Sequence, residues 1–180
     1  MLSLNDIGVE ENTDKAALTL RGSHHYLDLY ELLFRGRRDD NISILEIGVL
    51  DGGSARTWLR YFPNALITVI DILDVVVSDP RIEFIHGDAY TDDVISKLSG
   101  RSFDIMIDDA DHRVENQTVF LKRYSSMMKS NGIMIVEDVI VKGGAQELKA
   151  ELPQGFSCAI VEMNEGNSIL NSRLLIAYRT

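Results

Sequence analysis

Two hydrophobic periods take turns along this chain. Short apolar runs of four to six residues, the form of buried parallel strands, alternate with segments whose apolar positions recur at helical spacing. Residues 1–22 show neither period and read as an irregular lead-in to a single domain over 23–180. From Ser23, a candidate N-cap, Tyr26, Leu27, Tyr30, Leu33 and Phe34 mark one helix face, and Arg35, Arg37 and Arg38 suit its C-terminus. Strands are predicted at 42–47, 66–70, 82–85, 103–107 and 133–136. Helices are predicted after Gly53 and at 92–98, 114–128 and 145–152. The segment 72–80 has room only for a fragment of helix before Pro80. Two β-rich runs, about 156–163 and 169–178, flank a turn at 164–167 and read as a closing hairpin.

Strands alternating with helices predict an α/β domain. The expected form is Rossmann-like, with a mainly parallel seven-stranded sheet and the C-terminal hairpin as an antiparallel edge. Carboxylates follow the strand ends: Asp71, Asp88, Asp108 with Asp109, and Glu137 with Asp138. Ligands bind at that rim in open α/β sheets. The first strand is followed by Gly48 and by Gly52-Gly53-Ser54, then a helix. Glycines there let a ligand approach the backbone and leave the helix N-terminus open. A glycine turn alone also fits a tight turn with no ligand.

Composition narrows the classes. The 180 residues are 45% hydrophobic and 26% charged, as in an ordinary globular domain. Lys plus Arg is 18 and Asp plus Glu is 28, a net charge of −10, which disfavours a sequence-independent nucleic-acid clamp. Cys158, the one cysteine, supplies neither an intramolecular disulfide nor a cysteine metal cluster. No basic, apolar leader and no membrane-length apolar run is present, so no membrane partner is expected and the cytoplasm is the expected compartment. The acids are concentrated: eight lie between Asp88 and Glu115, opposed by Lys97, Arg101 and Arg113. Close carboxylates repel, so either some are solvated or a cation sits among them.

The run Leu45-Glu46-Ile47-Gly48, the later glycines, Asp71 closing the second strand and Gly87-Asp88-Ala89 after the third resemble the class I S-adenosylmethionine-dependent methyltransferases, over about residues 40–140. The resemblance implies that the loop with Gly48, Gly52 and Ser54 passes the methionine part of S-adenosylmethionine. It implies that Glu46 supports the loop and the amino-acid end, that Asp71 binds the ribose hydroxyls, and that Asp88, beside Ala89, contacts the adenine. Asp108 reads as a group supporting the site from behind or on the cofactor side, or else as a solvated loop acid. Leu50 stands where the family often has glycine. The G-x-G-x-x-G spacing of dinucleotide-binding folds is absent.

Asp109, with Glu137 and Asp138 following 28 and 29 positions later, narrows the resemblance to metal-dependent O-methyltransferases of the catechol and macrolide-sugar types. It implies Mg²⁺ held by Asp109, Glu137 and Asp138, a hard ion suited to oxygen ligands. His112, three residues after Asp109, matches the proposed base of the sugar enzymes; its bland alternative is a cap for the helix near Val114. Thr13-Asp14-Lys15 and His24-His25-Tyr26 resemble segments that precede the core in those enzymes. The implied chemistry is coherent: a metal lowers a hydroxyl's pKa, a histidine removes the proton, and the alkoxide attacks the methyl group in line. The expected substrate is a small sugar-like or polyol-bearing hydroxyl acceptor. The rivals are a metal-independent methyltransferase and a non-catalytic S-adenosylmethionine-binding regulatory protein. So short a chain implies either an open site or one completed by a partner subunit, as in a homo-oligomer.

Overall fold

The computed structural model describes residues 1–17, 24–75, 77–163 and 172–179. Strands β1 (Ser43–Ile47), β2 (Leu66–Asp71), β3 (Ile82–His86), β4 (Phe103–Asp108), β5 (Met128–Val136), β6 (Phe156–Met163) and β7 (Ser172–Arg179) form one sheet in the order β3-β2-β1-β4-β5-β7-β6. The pairs among β1 to β5 are parallel, and β7 runs antiparallel to both β5 and β6. The predicted mainly parallel sheet with an antiparallel C-terminal edge is therefore the observed one. The predicted turn at 164–167 lies outside the described residues.

Helices cover both faces. α1 (Leu4–Glu10), α2 (Tyr26–Phe34) and α3 (Gly53–Tyr61) pack on one face with Ile44, Ile67, Val69, Ile105 and Ile135. α4 (Asp92–Lys97), α5 (Val114–Val119) and α6 (Gly144–Ala150) lie with the other, around Leu45, Ile47, Met106, Met134 and Val136. The split follows from the two-residue side-chain period of a strand. Tyr30, Phe34, Trp58 and Phe62 form a continuous aromatic group under the first layer.

Three local expectations need correction. Residues 1–22 are not irregular throughout, because α1 is a helix with a capping box: Ser3 and Asp6 exchange backbone-to-side-chain hydrogen bonds of 3.1 Å. Its seven residues bury Leu4 and Ile7, too few apolar positions for a period to register. α2 begins at Tyr26 with His25 at its N-cap, and Ser23 lies outside the described residues. The segment 72–80 holds no helix among its described residues, which exclude Val76.

The predicted helix 114–128 is α5 followed by a wider π turn over Phe120–Tyr124 and a 3₁₀ turn over Ser125–Met127. Phe120, Leu121 and Tyr124 all remain buried along it. β5 starts five residues earlier than the apolar run suggests. Met128 pairs with Phe103 and Ile133 with Ile105, so the polar stretch between them bulges, with Asn131 at φ 61°.

Candidate active site

The sheet order reverses between β1 and β4, and the loops leaving these two strands meet there. Gly48 sits at φ 79°, and a Cβ on it would lie 2.2 Å from the Asp109 carbonyl oxygen. Only glycine permits that contact between the two loops. Leu50, where relatives in the resembled family often have glycine, adopts the left-handed conformation itself, at φ 50°, with its side chain 54% exposed. Asp71 ties this loop to β2: its Oδ2 accepts from the backbone N–H groups of Val49 (2.8 Å) and Leu50 (3.0 Å), and its Oδ1 from Leu73 N–H (2.8 Å).

A cavity of about 690 Å³ opens over this crossing, lined from the ends of all five parallel strands. Gly48, Ser54, Asp71, Asp88 and Ala89 line it. Glu46, Gly52 and Asp108 do not; they stand behind its wall. Glu46 is fully buried, and its Oε2 accepts from Ser54 Oγ (2.8 Å) and Trp58 Nε1 (2.9 Å). Burial pushes its carboxyl up to about 7. Asp108 points to the opposite face and accepts from the Tyr90 hydroxyl at 2.7 Å, and burial pushes it too up to about 7.

The acidic stretch from Asp88 to Glu115 is divided by the fold. Asp88, Asp109 and Asp111 reach the cavity. Asp92 and Asp93 pair with Arg123 and Lys97 at the surface, while Asp104 faces Arg37 and Lys129 at the far end of β4. Asp111 accepts from Arg113 N–H and pairs with its guanidinium. Arg113, not His112, occupies the N-cap of α5.

His112, at φ 58°, turns its Nε2 to within 3.2 Å of Asp109 Oδ1 and 3.8 Å of Asp138 Oδ2. One ligand atom from each of Asp109, His112 and Asp138 lies within 4.8 Å of the other two. The hydrogen bond to Asp109 raises the His112 pKa above its ordinary value. Glu137 is not turned into this group. Its Oε1 accepts from the Tyr30 hydroxyl at 2.7 Å and its Oε2 from Lys15 Nζ at 2.8 Å, and it is 1% exposed.

Lys15 is 1% exposed, its ammonium bonded also to Asp109 Oδ2 and 3.6 Å from Glu46 Oε1. Burial opposes its charge, but Asp109, Glu137 and Glu46 outweigh that and hold its pKa well above the ordinary lysine value. Burial likewise opposes ionisation of Asp109, yet Lys15 and His112 keep it below the usual range. Burial and the Asp109 charge push Glu137 well up. The Tyr26 hydroxyl donates to Asp138 Oδ1 at 2.5 Å. Lys15, Tyr26 and Tyr30 thus hold the acids in place, and all three were absent from the predicted site. The available signals were the resembling segments Thr13-Asp14-Lys15 and His24-His25-Tyr26 and the pair of tyrosines at helical i, i+4 spacing.

Asp109 and Asp138 offer the carboxylate oxygens that a hard divalent ion takes, with His112 beside them. The residues present fit such an ion.

No model of a known protein family matches the chain. Among individual proteins, it is 30% identical over 126 residues to mycinamicin VI 2''-O-methyltransferase of Micromonospora griseorubida, a match covering 64% of this chain and 32% of that one. It is 29% identical over 126 residues to demethylmacrocin O-methyltransferase of Streptomyces fradiae, again 64% and 32%. The chain therefore spans about a third of the length of the curated relatives it matches. Of solved structures, the MycE methyltransferase from the mycinamycin biosynthetic pathway, in complex with Mg, SAH and mycinamycin VI, superposes with a TM-score of 0.69 at 28% identity, over 76% of this chain and 37% of that one. The same enzyme with Mg and SAH, in crystal form 1, superposes with a TM-score of 0.77 over 99% of this chain and 54% of that chain, at 20% identity. By sequence the chain is similar to macrolide-sugar O-methyltransferases, and its fold is that of the class I S-adenosylmethionine-dependent methyltransferases.

Proposed function

We propose that this chain is an S-adenosylmethionine-dependent, Mg²⁺-dependent O-methyltransferase domain acting on a hydroxyl of a small sugar-like or polyol-bearing molecule. The observation that carries the reading is the meeting of Asp109, His112 and Asp138 beside a cavity at the crossing of β1 and β4. The relatives' names and the Mg and SAH in the MycE complexes support the reaction class and both cofactors.

Asp109 and Asp138, with Glu137 beside them, would hold the ion, which when bound makes an acceptor hydroxyl more acidic. His112 takes the hydroxyl proton at Nδ1, because Nε2 faces Asp109 Oδ1 at 3.2 Å and in the neutral ring carries the hydrogen donated to that carboxylate. Asp109 orients that ring and stabilises it once protonated. Gly48 lets the cofactor approach the backbone, Ser54 lines the methionine end, and Asp88 with Ala89 the adenine end. Asp71 works mainly through the loop, since three backbone N–H groups already engage its carboxylate.

The test is calorimetric titration with S-adenosylmethionine, followed by measurement of S-adenosylhomocysteine release over a panel of glycosides and polyols. Binding, turnover on a hydroxyl acceptor, loss of turnover with a chelator, and a drop of about 10²–10⁴-fold in His112→Ala are expected. Failure to bind S-adenosylmethionine overturns the reading. Chelator-resistant turnover favours the metal-independent reaction, and binding without turnover favours a regulatory protein.

A further inference from the structure

One charged group in the site has no place in the reaction as read. Lys15 is a buried cation whose ammonium rests on Asp109 and Glu137, two of the three acids assigned to the divalent ion. A third carboxylate, Glu46, stands 3.6 Å away. The lysine is anchored by its main chain: its carbonyl oxygen accepts from the N–H groups of Tyr26 (3.0 Å) and Leu27 (3.3 Å), the open first turn of α2. Neighbouring Thr13 and Ala16 are buried as well. The placement of this ammonium is therefore built into the fold and does not depend on a wandering surface side chain.

We propose that Lys15 is a positioning residue that acts as a tethered counter-cation and competes with the divalent ion for Asp109 and Glu137. This rests on the divalent-ion part of the function proposed above. The physical ground is direct. An oxygen that accepts a hydrogen bond from an ammonium has given that lone pair away. A divalent ion on the same carboxylates would also sit within a few ångströms of a fixed positive charge in a poorly screened interior. An ion on Asp109 would share that carboxylate with the Lys15 ammonium, so each cation weakens the hold of the other. The lysine thus lowers the affinity of the site for metal while keeping the acids from repelling one another when metal is scarce.

The experiment is isothermal titration calorimetry of the full chain with Mg²⁺ alone and, separately, Mn²⁺ alone, with neither cofactor nor acceptor. Lys15→Met is expected to bind the ion at least about tenfold more tightly than wild type. Lys15→Gln, which keeps a donor but no charge, is expected to do the same and stands in if the methionine variant does not fold. Lys15→Arg, which keeps the charge, is expected to stay within about threefold of wild type. Asp109→Asn is expected to abolish binding. In thermal melts, metal-free Lys15→Met is expected to unfold below wild type, and saturating Mg²⁺ to raise its Tm more than that of wild type.

Equal or weaker binding in both uncharged variants overturns the proposal while leaving the metal site intact. Tight binding by Lys15→Arg, matching Lys15→Met, overturns it as well, because charge would not be the cause. No binding by any variant removes the divalent ion itself and the proposal with it, and leaves cofactor binding to be judged separately.

Discussion

Tyr26 and Tyr30 stand one turn apart on α2, and their hydroxyls divide two adjacent acids, Tyr26 bonding to Asp138 and Tyr30 to Glu137. A helical turn advances about 5.4 Å and a strand residue about 3.3 Å, so two hydroxyls one turn apart can bracket neighbouring residues at a strand end. Tyr30→Phe leaves Glu137 Oε1 without its donor inside the protein and should lower stability by about 1–3 kcal/mol. Tyr26→Phe should move the urea midpoint less, since Asp138 is the more exposed acid, and should weaken Mg²⁺ binding instead. Urea unfolding and calorimetry of the two variants separate these effects.

The glycine loop predicts two opposite outcomes. Gly48→Ala places a methyl group 2.2 Å from the Asp109 carbonyl oxygen at a positive φ, with backbone on both sides of the clash. A loss of about 3 kcal/mol or more is expected, together with displacement of the β4 loop. Leu50→Gly relieves a left-handed leucine whose side chain packs little. After the entropy cost of a glycine, a net gain of about 0.5 kcal/mol is expected. Thermal melts of both variants check the signs.

Trp58 donates to Glu46 through its indole N–H and packs against Tyr30, Phe34 and Phe62. Trp58→Phe removes the donor and some volume while leaving the aromatic packing mostly in place. A loss of about 2 kcal/mol is expected, read as a Tm lowered by about 4–8 °C in a chain of this size.

Asp104 gives a pH signature far from the site. Burial acts to raise its pKa, but Lys129, the Ser43 N–H and Arg37 outweigh burial and lower it. A carboxyl depressed in the folded state adds stability above its unfolded pKa of about 3.9, and that stability is lost as pH falls through the folded value. Asp104→Asn should therefore be less stable than wild type at pH 7, with the difference closing below about pH 4. Urea midpoints at pH 7 and pH 3 measure it.

The sheet was legible because β1 to β5 carry compact apolar runs with acids at their ends. The site was legible only in part. Asp109, His112 and Asp138 could be placed together through the resemblance to the sugar O-methyltransferases, whereas the groups that hold them could not. Lysine is rarely buried, and nothing in the apolar period identifies Lys15 as an interior cation. Tyr26 and Tyr30 were visible only as apolar positions on a helix face, since periodicity registers their rings and is blind to their hydroxyls. Glu46, expected from the resemblance to support the loop, and Asp108, expected on or behind the cofactor side, both lie behind the cavity wall. A strand's alternation fixes which face a side chain takes, not how far the neighbouring layer covers it.

Lys15 also changes what a chelator does to this molecule. Stripping a divalent ion from a cage of acids ordinarily leaves bare, mutually repelling charges, and the loops that carry them loosen. Here the replacement is part of the chain, present at a fixed local concentration whatever the buffer. Under the proposal made above, metal depletion would exchange one counter-ion for another, with Lys15 already seated on Asp109 and Glu137. The carboxylates would then stay in register for loading later.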